Sequence, residues 1–226
     1  MALRFAYLTL LTASCAATLT ASKASAEVVI SAYGGVQGAF DSNVSGNDPA
    51  PGGVGHFDFD QRWKGQSFKS PIYWGVRGTW WLEQMPGWGV SLDYSHTKVY
   101  ADPLPKGWTT LELTDGLNIL TLNALYRFEQ EGRAWTPYVG AGVGVSIPHV
   151  EVQTSTTAPK TFEYQVAGPA FQIQAGIDYP IFQSVSMFGE YKGNYTINHM
   201  NLVGGGNMKS NIFTNAFDVG LSYHWK

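Results

Sequence analysis

Histidine is scarce in this chain, and two of its five copies are followed by carboxylates at alternate positions. His56 precedes Asp58 and Asp60, and His149 precedes Glu151. In an extended segment residues i and i+2 point the same way, so each run offers imidazole and carboxylate to a common ion. That donor set suits zinc, iron or copper. The plain alternative is that these are solvated loop histidines. His96 has Lys98 as its neighbour on the same parity. The chain holds no H-E-x-x-H run and no Gly-x-Ser-x-Gly elbow. Ser95 and His96 are adjacent, so a strand sends them to opposite faces and they cannot act together directly. Ser146 and His149 could meet only if the strand breaks at Pro148. Gly140, Gly142 and Gly144 lack the following helix and the spacing of a phosphate cradle.

The elements that must position these residues follow from a period of two. From Tyr73 onward, bulky apolar residues alternate with Gly, Ser, Thr, Asn and charged residues. Trp74, Val76 and Trp80 share one parity; so do Trp88, Val90, Leu92 and Tyr94; so do Leu120, Leu122, Ala124 and Tyr126. Aromatics gather beside the short turns. This is the pattern of a membrane-spanning barrel, apolar outside, polar inside and girdled by aromatic rings. The sequence predicts an all-β fold, an eight-stranded antiparallel transmembrane β-barrel. Its strands are expected at 28–40, 72–82, 88–99, 117–128, 135–147, 170–179, 185–196 and 211–225. Connections alternate long and short, which puts the short turns and both termini on the periplasmic side. Trp80, Trp88, Tyr126, Phe128, Trp135, Tyr179, Tyr223 and Trp225 then form the periplasmic girdle. The first long loop is rich in Gly, Pro, Asn and Asp and is expected to be flexible. His56, His96, His149 and His199 fall in the outer half, and His224 at the periplasmic end. Arg77, Asp93, Arg127, Asp178, Glu190, Lys192 and Asp218 face inward as a lumen-filling ion-pair network, since charge on the lipid face is costly.

Residues 1–26 read as a signal peptide. Arg4 supplies the positive start, residues 5–20 are apolar and small, and Ala24-Ser25-Ala26 suits cleavage. That leaves one barrel domain, 27–226. The only cysteine, Cys15, leaves with the signal, so the mature chain has no disulfide and no thiol nucleophile. Arg4 and Lys23 leave too, so 12 basic residues face 17 acidic ones and the net charge moves from −3 to −5. There is no basic stripe, which argues against nucleic acid as a partner. Asp218, Gly220, Tyr223 and Trp225 resemble the C-terminal signal read by the outer-membrane assembly machinery of Gram-negative bacteria. Lys226 after the last aromatic departs from that habit. The expected location is the outer membrane, as a monomer.

Several runs resemble one enzyme family. They are Tyr73 to Trp81, Gly89 to Asp102 with its His96-Thr97-Lys98-Val99-Tyr100-Ala101-Asp102 core, Thr114 to Asn118, Pro148 to Val152 and Phe188 to Gly193. Together they are similar to the outer-membrane lipid A oxidases of rhizobial bacteria. The resemblance implies oxidation of the proximal glucosamine of 1-dephosphorylated lipid A to 2-aminogluconate. Oxygen is then the acceptor and hydrogen peroxide is released. It also implies lipid A, in lipopolysaccharide, as partner. Ground-state oxygen reacts poorly with closed-shell donors, and a barrel offers no flavin or nicotinamide fold, so a divalent metal ion of unspecified identity is expected. The residues at the level of the lipid A sugars supply the candidates. His96, His149 and Glu151 are expected as catalytic groups, His56, Asp58, Asp60 and His149 as metal ligands, and Lys98 as a contact for lipid A phosphate. The alternative is a non-catalytic structural or adhesive barrel, whose loops bind envelope or host partners.

Overall fold

The computed structural model describes residues 27–225; the expected signal peptide lies outside the described residues. Fifteen strands follow in order. The first eight are β1 (Glu27–Ala39), β2 (Ser42–Asp48), β3 (Gly55–Gln61), β4 (Trp63–Lys64), β5 (Trp74–Trp81), β6 (Trp88–His96), β7 (Val99–Ala101) and β8 (Thr110–Leu113). The rest are β9 (Ile119–Arg127), β10 (Thr136–Ser146), β11 (His149–Gln153), β12 (Thr161–Tyr164), β13 (Gly168–Phe182), β14 (Val185–Leu202) and β15 (Gly206–Trp225). No helix among the described residues is long and apolar enough to cross a membrane.

Eight strands close a ring in the order β1-β5-β6-β9-β10-β13-β14-β15, and β15 pairs back onto β1 from Val28↔Trp225 to Ala39↔Thr214. Every neighbouring pair in the ring is antiparallel. Closure leaves no unpaired edge, which is the condition for strands to cross hydrocarbon. Side-chain parity then sorts the residues. Val76, Trp80, Leu92, Leu122, Val143, Ile173, Phe217 and Val219 are exposed on the outside. Arg77, Asp93, Glu190, Lys192 and Asp218 are buried inside. A water-soluble fold would bury the first set. This exterior is that of an outer-membrane barrel, with the expected girdle aromatics beside the short turns. Trp88 meets Tyr126 at 5.1 Å and Tyr126 meets Phe128 at 4.9 Å.

The midsection of the lumen is filled by charge. Arg77 Nη1 lies 2.6 Å from Glu190 Oε2 and 3.7 Å from Asp93 Oδ2. Lys192 Nζ reaches Asp93 at 3.1 Å, Glu190 at 3.6 Å and Asp218 at 3.8 Å. The hydroxyls of Tyr33, Tyr73 and Tyr138 donate to Asp93, Asp218 and Glu190.

Two expectations about the elements change. Strands β14 and β15 run beyond the barrel, and the segment expected to be a flexible first loop extends their sheet from the β15 edge. β2 joins β15 (Asn47↔Asn207) and β3 joins β2 (His56↔Asn47). Gly and Asn there mark tight backbone approach: a Cβ on Gly46 would collide with the Asn207 carbonyl. The other long connections, with β4 from the first, hold a second sheet, in the order β12-β11-β8-β7-β4. One face of it is apolar, with Val99, Leu111, Leu113, Val150 and Val152. That face buries against Val44, Trp108, Met200, Leu202, Met208 and Ile212. The outer end is therefore a two-layer cap built on the barrel's own strands.

Candidate functional site

The other face of the cap sheet carries the titratable groups, because each pairing register aligns them. Lys64 is opposite Tyr100, Tyr100 opposite Glu112, Glu112 opposite Glu151, and Glu151 opposite Phe162. His149, two residues before Glu151, shares that face and is opposite Tyr164. Pro148 ends β10 and starts this turn away from the barrel wall, with the His149 N–H donating to the Gly116 carbonyl at 2.8 Å.

His96 arrives from the wall itself. β6 keeps Trp88, Val90, Leu92 and Tyr94 on the lipid side, and His96 is the next residue of that parity. Its ring stacks on Trp74 at 6.0 Å and 22°. Asn118 Oδ1 holds it, 2.9 Å from His96 Nδ1, and also accepts the Tyr94 hydroxyl at 2.8 Å. An acceptor at Nδ1 puts the proton there, so His96 Nε2 carries the lone pair, and that atom is buried with no partner among the described residues.

The turn from β8 to β9 joins the two histidines. Gly116 has φ +106°, and a Cβ on it would meet His96 Nδ1 at 2.6 Å and collide with Asn118. Asp115 beside it points at His149: Asp115 Oδ2 is 3.7 Å, and Glu151 Oε1 3.4 Å, from His149 Nδ1. Among the described residues these three form the one group of His, Cys, Asp and Glu suited to a metal ion, with donor atoms all within 4.8 Å. The His149 ring is clamped between Phe162 at 4.4 Å and Tyr164 at 4.5 Å. Glu151 accepts from Thr114 Oγ1 at 2.8 Å and from Lys160 Nζ at 3.0 Å. Burial pushes its carboxyl up, but those two bonds and the Lys160 charge outweigh this and hold it below the ordinary value. Glu112 goes the other way: burial, then the facing Glu151, raise it.

The expected residues therefore divide. His96, His149 and Glu151 come to one region of the outer rim. His56, Asp58 and Asp60 do not join His149. Parity on β3 turns all three to solvent while Phe57 and Phe59 pack on Trp108, and Asp58 bonds Asn43 at 2.7 Å. Lys98 is not open to a phosphate either. It is fully buried and its ammonium donates to the Lys69 carbonyl; burial, then the Lys69 charge, lower its pKa. The exposed cation there is Lys69, 4.6 Å above the Tyr100 ring. Spacing alone missed Asp115, Thr114 and Asn118. The run Thr114 to Asn118 carried part of the resemblance, but nothing in it announced a ligand.

His224 stands at the opposite end. Its Nε2 is 2.7 Å from Ser186 Oγ and its Nδ1 2.8 Å from Glu27 Oε1. The arrangement looks like a nucleophile, base and acid. However, Ser186 is 1% exposed and gives its proton to Asp178 at 2.5 Å, so the chain of bonds ties strands together rather than arming a serine.

Residues 112–203, under half of the chain, match the model of a surface antigen family. No curated protein matches. Similar solved structures include Neisserial surface protein A, 13% identical with a TM-score of 0.46, over 87% of this chain and 96% of that one. The N-terminal β-barrel domain of Pseudomonas aeruginosa OprF is 16% identical, TM-score 0.45, over 88% and 97%. The outer membrane protein OprG of Pseudomonas aeruginosa is 14% identical, TM-score 0.45, over 90% and 97%. The closed ring of strands, not these likenesses, carries the fold.

Proposed function

We propose that this chain is an oxygen-dependent lipid A oxidase that works from the outer wall of its barrel. One observation carries the reading: titratable groups converge where the lipid-facing wall ends. His96 continues the parity of Leu92 and Tyr94, and the turn whose Gly116 abuts it carries Asp115, which meets His149 and Glu151 of the cap. An amphiphile with its acyl chains against that wall brings its sugar to these groups without leaving the bilayer. The exposed rings of Phe162 and Tyr164 offer sugar-stacking surfaces beside them.

The chemistry asked of the site is the loss of two hydrogens from the hemiacetal of the proximal glucosamine. Its C–H and O–H bonds break, and two electrons and two protons pass to oxygen, giving hydrogen peroxide. The lactone left behind hydrolyses to 2-aminogluconate. The unpartnered Nε2 of His96 is the base this reading assigns to the hydroxyl proton, which requires the arriving sugar to displace the neighbours that cover that atom. The exposed ammonium of Lys69 takes over the phosphate contact expected of Lys98.

The test is expression in a strain whose lipid A lacks the 1-phosphate, followed by mass spectrometry of that lipid. The expected result is a gain equal to one oxygen atom; an unchanged mass in folded, correctly inserted protein removes the reading. It would leave the second reading, a non-catalytic surface barrel, which the partial match to a surface antigen family favours.

A further inference from the structure

We propose that Asp115, His149 and Glu151 hold one divalent transition-metal ion at the outer rim. The inference goes beyond the oxidase reading, because ion occupancy is measured without substrate. Acidic residues near a histidine are common on surfaces, so the weight falls on His149. Its side chain is buried and its Nδ1 has no hydrogen-bond partner among the described residues. A buried polar atom left unpaired costs free energy, yet this one is aimed between two carboxylates.

The geometry suits a small ion. Bonds of about 2.1 Å set donors roughly 3.0–3.4 Å apart. The donors here stand 3.4 and 3.7 Å from the imidazole, with none beyond 4.8 Å from another, so shifts of about an ångström bring all three within bonding reach of one ion. Supports for the ligands are already in place. Phe162 and Tyr164 fix the imidazole plane. Thr114 and Lys160 fix the two oxygens of Glu151. The Gly116 carbonyl anchors the His149 backbone. Such outer partners orient first ligands in metal proteins.

Charge points the same way. Asp115 and Glu151 converge, and Glu112 faces Glu151 across the sheet. Among the described residues Lys160 is the only cation bonded to any of the three. Two oxygens and one nitrogen, with no thiolate, favour manganese, iron or zinc over soft ions. Asp115 is half-exposed, so further positions on the ion stay open to water or a sugar hydroxyl.

The test uses the mature chain folded in detergent micelles, stripped with a chelator and titrated with Mn2+. Free ion is followed by its paramagnetic resonance signal, and folding by the heat-dependent gel mobility of barrels. Saturable binding of one ion per chain is expected. His149→Ala and Asp115→Asn should each weaken it about tenfold or more, and His56→Ala should leave it unchanged. Asp115 is exposed enough for its variant to fold even if the His149 variant does not. No saturable binding by the folded chain, or an affinity unchanged from that of the unsubstituted chain in both site variants, overturns the site. Binding without lipid A oxidation supports the site and removes the oxidase reading. Oxidation without binding overturns the site and keeps that reading.

Discussion

At Gly116 one missing methyl group lets two histidines share a turn. A side chain there would adopt a left-handed backbone and push into His96 and Asn118. Gly116→Ala should cost about 1–2 kcal/mol of local strain and displace His96. Lipid A oxidation should fall sharply while gel mobility still reports a folded barrel. For the histidines themselves, His96→Ala should lower peroxide release by about 100-fold or more if Nε2 is the base. His56→Ala should have no effect, because β3 turns that ring to solvent; equal losses in both would mean that neither contacts substrate. The sequence made half of this legible. His149 and Glu151 could be paired from their spacing because a strand fixes i and i+2 on one face. Asp115 could not, since it comes from a separate turn and meets His149 only through the register of β8 on β11. His56, Asp58 and Asp60 share the spacing of His149 and Glu151 but not their setting, and spacing does not say which face is covered.

Strand parity is the strongest signal in the chain, and it has a measurable cost of violation. Leu92→Arg places a charge on the hydrocarbon face and should destabilise the barrel by about 2–4 kcal/mol in lipid vesicles, read by chemical denaturation. Ser91→Ala, one residue away and inside, should be nearly silent, since its hydroxyl has no partner among the described residues. The eight spanning strands were legible because each must turn one apolar side to lipid over its whole length. The cap strands were not. β4, β7, β8 and β12 are two to four residues long, too short to establish a period. The Gly, Pro and Asn of the first loop signal mobility and tight hairpin packing alike. The structure resolves that ambiguity, because β15, backed by β14, protrudes as an edge on which β2 pairs, with β3 on β2.

On the scale of the whole molecule, stability depends on an interior that keeps its charges in balance. Two cations, Arg77 and Lys192, answer the three carboxylates Asp93, Glu190 and Asp218. Lys192→Met leaves one cation against three buried acids and should destabilise folding by about 3–5 kcal/mol, again measured in vesicles. A Lys192→Met, Asp93→Leu pair should recover much of that loss; no recovery would mean that the lysine acts through its packing on Tyr33 instead.

That plugged midsection also separates two worlds. On the oxidase reading proposed above, hydrogen peroxide released at the rim would meet packed ion pairs rather than open water on its way down the barrel's interior.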